Sequence, residues 1–259
     1  MRARRHHAPL VLLALVAALA AACSTPTQNP PQALPTSQSV PPAASPTPTA
    51  ADGTDGSGAF PHQALWPFAD TEQARRWQQE AAPQGHSPWH SDAEFTALAF
   101  TQGFLGFNQI DKITSSTTEG DEAWVGVGFT LPAGGTSTAA VVHLVRIGTG
   151  ADAPWEVVGT RDDWLVIDTP RYGSQVSSPI PASGAVTGVD ESLRLQVRQV
   201  DREGVLGEHC CIPAGGTGQR WSAEVPFTDP GTGVLTLVVS TGGHVADVER
   251  FAVTGLRAR

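Results

Sequence analysis

The apolar positions change period twice along the chain. From Leu10 to Leu19 they form a near-continuous run; between 71 and 105 they return every three or four residues; from 124 onward they alternate with polar ones in short bursts between Gly and Pro turns. Those periods predict, in order, a leader, a helical stretch and a long succession of strands.

The helical stretch has two starts. Asp70 precedes Thr71-Glu72-Gln73 as an N-cap, and the spacing predicts a helix over 71–82 with Ala74, Trp77 and Ala81 on one side, ended by Pro83. Ser91-Asp92-Ala93-Glu94 reads as a capping box with Ser91 as cap. The helix then continues through Phe95, Leu98, Ala99, Phe104 and Leu105, a stripe wide enough to be buried. Three strands follow: 124–130, with Val125, Val127 and Phe129 facing one way; 138–147; and 155–160, with Trp155 and Val157 on one face. Helices followed by antiparallel strands predict an α+β domain over 60–163. The phrase Ala99-Phe100-Thr101-Gln102-Gly103-Phe104-Leu105-Gly106-Phe107 ahead of that sheet resembles actinobacterial lipoprotein modules of cystatin-like or nuclear-transport-factor-two-like shape.

Residues 164–259 carry strand signals almost throughout. Leu193, Leu195 and Val197 alternate with Arg194, Gln196 and Arg198, and Trp221, Ala223, Val225 and Phe227 alternate with polar neighbours and Pro226. Further strands are expected over 234–240 and 248–254, with turns at 201–204 and 229–233. Short alternating strands between such turns predict a β-sandwich. Pro170, Val176, Ser178, Pro179, Ile180, Gly184 and Ala185 fall in the order of a pattern at the start of the immunoglobulin-like domain of bacterial spore-germination proteins, which this segment resembles. The resemblance implies an all-β immunoglobulin-like sandwich on secreted and lipid-anchored proteins, with no catalytic residues to carry over. Fifteen Arg against one Lys suggest a GC-rich genome, and with it an actinobacterial source.

The first 22 residues read as a signal peptide: Arg2, Arg4 and Arg5, an apolar run too short to span a bilayer comfortably, then Ala20-Ala21-Ala22-Cys23. Leu19-Ala20-Ala21-Ala22-Cys23 resembles a bacterial lipobox, with Ala20 where Leu is preferred. That resemblance implies cleavage before Cys23 and acylation of its thiol, and two or three acyl chains anchor stably where one does not. An ordinary secretory signal with an incidental Cys is the other reading. Residues 24–59 hold eight Pro and no aromatic residue, so 23–59 is expected to be a disordered tether.

Charge narrows the partners. The net charge is −9, and cleavage removes three Arg and no acid, so it becomes −12. A nucleic-acid partner is not expected, because its binders present a basic face. An acidic body is repelled by an anionic membrane surface, which suits a lipid anchor and a tether.

Candidate chemistry is sparse. In Glu208-His209-Cys210-Cys211 three fates stay open: a disulfide between adjacent cysteines; a metal site built from His209, Cys210 and Cys211 with a donor such as His244; or inert thiols beside a strand. His86 and His90 are four apart, with Pro88 between them. His143 sits mid-strand, either as an ordinary sheet histidine or in a ligand pocket between the helices and the sheet. Asp121-Glu122 and Asp162-Asp163 read as solvated turn acids. No nucleophile motif, zinc-protease motif or phosphate loop is present. The expectation is a protein on the outer face of the cell membrane that binds or scaffolds an envelope protein or glycan, without catalysis and without a cofactor. The alternative is a small-ligand carrier, with an enzyme third.

Overall fold

Alternation in the first strands builds one face of a core. In this computed structural model, which describes residues 60–148, 150, 152–243 and 245–259, four strands form an antiparallel sheet in the order β1-β2-β3-β4. They are β1 (Lys112–Glu119), β2 (Glu122–Thr130), β3 (Thr136–Arg146) and β4 (Trp155–Arg161). Successive side chains of a strand leave on opposite faces. Val125, Val127 and Phe129 of β2, Val142 and Leu144 of β3, and Trp155 and Val157 of β4 therefore share one face, and all are buried.

That face is covered by the helical stretch. Helix α1 (Thr71–Arg76) is capped by Asp70, whose Oδ1 accepts the Gln73 N–H at 2.8 Å, and it runs on as a π-helical turn over Trp77–Ala81. Helix α2 (Ala93–Ala99) continues as a π-helical turn over Phe100–Phe104. Its cap is Asp92 and not Ser91: Ser91 closes a 3-10 turn, whereas Asp92 is extended and its Oδ1 accepts from Glu94 N at 2.9 Å and Phe95 N at 3.0 Å. The capping-box spacing misplaced the start by one residue, because Asp is as good a cap as Ser. Ala97, Phe100 and Leu105 fill the space above the sheet.

The second sheet has the order β5-β7-β9-β10-β6, with β8 also paired to β7. Its strands are β5 (Leu165–Thr169), β6 (Gln175–Val176), β7 (Ile180–Gln199), β8 (Gly207–Val225), β9 (Val234–Thr241) and β10 (Arg250–Ala258). The first half of β7 lies between β5 and the end of β8; its second half lies between β9 and the start of β8. One long hairpin thus joins both parts of the layer around Leu165, Ile180, Leu195, Trp221, Leu237 and Leu256. Gly184 permits a close approach: a Cβ there would stand 1.8 Å from the Val166 carbonyl oxygen and 2.6 Å from the Trp221 ring.

Strands β9 and β10 are buried on both faces. Leu235, Leu237 and Val239 belong to the second core, whereas Val238, Phe251 and Val253 pack with Val125, Phe100 and Val157 in the first. The boundary expected at 163/164 is therefore a change of sheet, and hydrophobic packing runs across it. The chain ahead of α1 also joins the sheet: Leu65 N–H donates to the Val157 carbonyl at 3.0 Å, and Val157 N–H to the Trp66 carbonyl at 2.7 Å. The edge of β4 is thereby covered. The leader, Cys23, the tether and His244 lie outside the described residues.

Candidate functional site

Two clefts gather polar side chains, one on each sheet. The first, of about 430 Å³, lies where β4 meets β5 and β10, and His62, His143, Thr160, Arg161, Tyr172 and Thr254 line it. His143 does not face the helices. Its neighbours Val142 and Leu144 point into the helix-covered core, so alternation turns the imidazole to the opposite face. The pocket expected between helices and sheet is filled there by Phe100, Val142, Leu144 and Val157.

On its own face His143 is held from three sides. Its ring lies parallel to that of Trp124, with centroids 5.1 Å apart. Its Nε2 is 2.9 Å from Glu122 Oε2, and His62 meets it edge-on at 6.0 Å. Burial pulls the His62 pKa below its usual value; His143 lowers it further, while Glu122 opposes both. The Arg161 guanidinium sits over Trp124 at 5.6 Å. Across the cleft the Tyr172 hydroxyl accepts the Gln63 N–H at 2.5 Å, and burial is the main cause raising its pKa. Among the described residues no hydroxyl or thiol hydrogen-bonds either imidazole, so the cleft offers shape and aromatic faces without an activated nucleophile.

The second cleft, of about 570 Å³, has the outward face of β7 as its floor. Arg194, Gln196 and Arg198 occupy alternate positions there, while Leu193, Leu195 and Val197 point into the second core. Glu208 of β8 ties the row together: it accepts Arg194 Nη1–H at 2.5 Å and Gln196 Nε2–H at 2.7 Å. Those hydrogen bonds and the neighbouring guanidinium charges hold the Glu208 carboxyl below its usual range. Arg198 donates to the Phe104 carbonyl at 2.8 Å and to Gln196 Oε1 at 3.2–3.3 Å. Burial lowers its pKa, and no carboxylate lies within ion-pair reach of it among the described residues. One wall is Leu105-Gly106-Phe107, another the end of β9 with Gly242 and Gly243. In that wall Ser240, the register partner of Arg194, is on the cleft face, while alternation turns the Thr241 side chain to the opposite one.

Cys210 and Cys211 stand at the rim of this cleft and are joined in a disulfide, S–S 2.11 Å, Cα–Cα 3.7 Å. The metal set of His209, Cys210 and Cys211 is not assembled. Both sulfurs are in the disulfide, so neither is a thiolate, and His209 pairs with Leu195 while Cys210 pairs with Arg194, which places the two on opposite faces. Among the described residues no three His, Cys, Asp or Glu side chains converge to hold a metal ion.

The remaining candidates are dispersed. His86 is exposed, whereas His90 is buried against Trp89, Phe68 and Trp77, which lowers its pKa to about 4. Asp121 and Asp163 are exposed acids as expected; Glu122 is partly exposed but engaged, and the Asp162 side chain is buried. Glu122 holds His143, and the Asp162 side chain, 7% exposed, accepts Trp164 N–H at 2.6 Å and lies 3.6 Å from Arg250. The Arg194-Gln196-Arg198 row was visible as the polar half of an alternating strand. That alternation predicts a half-buried strand and carries no sign of the cleft, because the wall formed by 105–107 comes from a distant segment.

Comparison with protein-family models, curated proteins and solved structures finds no match to this chain.

Proposed function

We propose that the protein is a non-catalytic binding module of the cell envelope, held at the outer face of the membrane through an acylated Cys23. The observation carrying the binding role is the β7 cleft. Its charged groups hydrogen-bond one another in a fixed array, open to solvent, and among the described residues no hydroxyl or thiol there is hydrogen-bonded to a base. An array of fixed donors and acceptors at an open cleft is suited to recognition. On this reading the fold is an α+β layer followed by an immunoglobulin-like sandwich. The packing of α2 on the first sheet and the long β7–β8 hairpin around its own core support it.

The test uses the full chain extracted in detergent. It should co-sediment with purified insoluble envelope, should lose that retention when Ser192→Trp obstructs the cleft mouth, and should release no new fragments. Absence of retention, or steady release of fragments, would overturn the reading. Phase partitioning of Cys23→Ser against the parent checks the anchor: the variant should move to the aqueous phase.

The cleft around His143 favours a second reading, a small-ligand carrier. It predicts that a bound small molecule leaves with the native protein and is lost on Tyr172→Ala.

A further inference from the structure

Arg198 is a half-buried cation whose acceptors are one backbone carbonyl and one amide oxygen. A guanidinium has five N–H donors, and three are used here, through Nε, Nη1 and Nη2. The nearest acid in the row, Glu208, is engaged by Arg194 and Gln196. A desolvated guanidinium with spare donors and no paired carboxylate is suited to a carboxylate arriving from outside, which it takes by parallel hydrogen bonds.

The surroundings narrow what carries that carboxylate. A polyanion is disfavoured, because Asp247 lines the cleft, Glu208 is hydrogen-bonded to two of its lining side chains, and the chain is acidic overall. An extended peptide adding to the sheet needs an unpaired strand edge, and β7 is paired on both sides, to β8 and to β9. What remains on offer is a row of planar groups presenting donors and acceptors together: Arg194, Gln196, Glu208 and Arg198. Vicinal hydroxyls both donate and accept, so they match such a row. Phe107 and the Cys210–Cys211 disulfide supply apolar surface at the sides, and Ser240, the register partner of Arg194, stands on the cleft face of the wall. The volume lies within the range of about 300–1,000 Å³ usual for small-molecule sites.

We infer that the β7 cleft binds a carboxylated saccharide, with Arg198 taking the carboxylate and Gln196 and Glu208 the ring hydroxyls. The inference rests on the binding-module reading and names its ligand class.

The test is titration of the detergent-extracted full chain with three probes: methyl glucuronoside, methyl glucoside and N-acetylglycine. The glucuronoside should saturate at millimolar concentration or below. The neutral glycoside should bind about tenfold more weakly or worse, the usual penalty for losing a hydrogen bond to a charged group. N-acetylglycine should also bind more weakly than the glucuronoside. Arg198→Gln should abolish the preference between the two glycosides. Ser192→Trp, an exposed substitution that leaves the polar row untouched, should remove binding of both with an unchanged thermal melt, and it serves if Arg198→Gln does not fold. Equal binding of the two glycosides, equal binding of N-acetylglycine, or no binding of the glucuronoside overturns the inference. Retention on envelope that persists while the glucuronoside neither binds nor competes sinks this inference alone; loss of retention itself sinks the broader reading.

Discussion

Trp124 and His143 are register partners on neighbouring strands, and their rings lie within 3° of parallel at 5.1 Å. The pair forms one wall of an aromatic and imidazole cluster on the side of the sheet away from the helices. An aromatic pair contributes about 0.5–1.5 kcal/mol beyond its buried area. His143→Ala should therefore lower stability by about 1 kcal/mol in a denaturant melt. His143→Phe, which keeps the stack but loses Glu122, should recover most of it. If both variants cost the same, the stack contributes nothing.

His90 contributes to the acid side of the stability profile. Its folded pKa, about 4, lies below the usual 6.5 because burial penalises the imidazolium. Protons then bind the unfolded chain first. The stability is present above about pH 6.5 and is lost as pH falls towards 4, on the order of 2–3 kcal/mol in all. His90→Leu should flatten that slope in melts run between pH 7 and 4. An unchanged slope would place its origin elsewhere.

Glu156 acts in the opposite direction. It is 0% exposed, and burial raises its pKa well above the usual carboxylate range against the opposing effect of backbone N–H groups, among them Phe68 N–H, which donates to Oε2 at 3.1 Å. Here the folded state holds its proton more tightly. Stability is full below the ordinary carboxylate pKa and declines as pH rises from there towards the raised value. Glu156→Gln keeps an acceptor for Phe68 and carries no titratable proton. It should raise the melting temperature at pH 8 and leave it nearly unchanged at pH 4.

Gly184→Ala tests the hairpin's close approach. The added methyl meets the Val166 carbonyl and the Trp221 ring, neither of which can retreat without opening the second core. A loss of about 3 kcal/mol, or failure to fold, is expected. A variant as stable as the parent would mean that β5 and β7 lie further apart than described.

Much of this architecture was legible where alternation is strict. Val125, Val127 and Phe129 were assigned to one face, as were Leu193, Leu195 and Val197, and those residues are core. Two things were not legible. A strand buried on both faces looks like any apolar run, so the packing of Val238, Phe251 and Val253 onto the first core gave no signal of its own. Residues 60–68 have no periodicity, and their pairing to β4 depends on a strand 90 residues away. The clefts share that difficulty: side chains such as His62 and His143, or Arg198 and the Phe104 carbonyl, meet only after the sheets have formed.

The pairing of Leu65 and Trp66 with Val157 also has a mechanical meaning. If the N-terminus is the anchored end, as proposed, load travelling along the chain reaches this short ribbon before any strand from β1 to β10. Two backbone hydrogen bonds close it, with Gln63 held behind by Tyr172 and by Arg257 at 2.9 Å. The ribbon is the natural point of first yield: it can peel from the edge of β4 while the β7–β8 hairpin, more than a hundred residues further along the chain, stays closed.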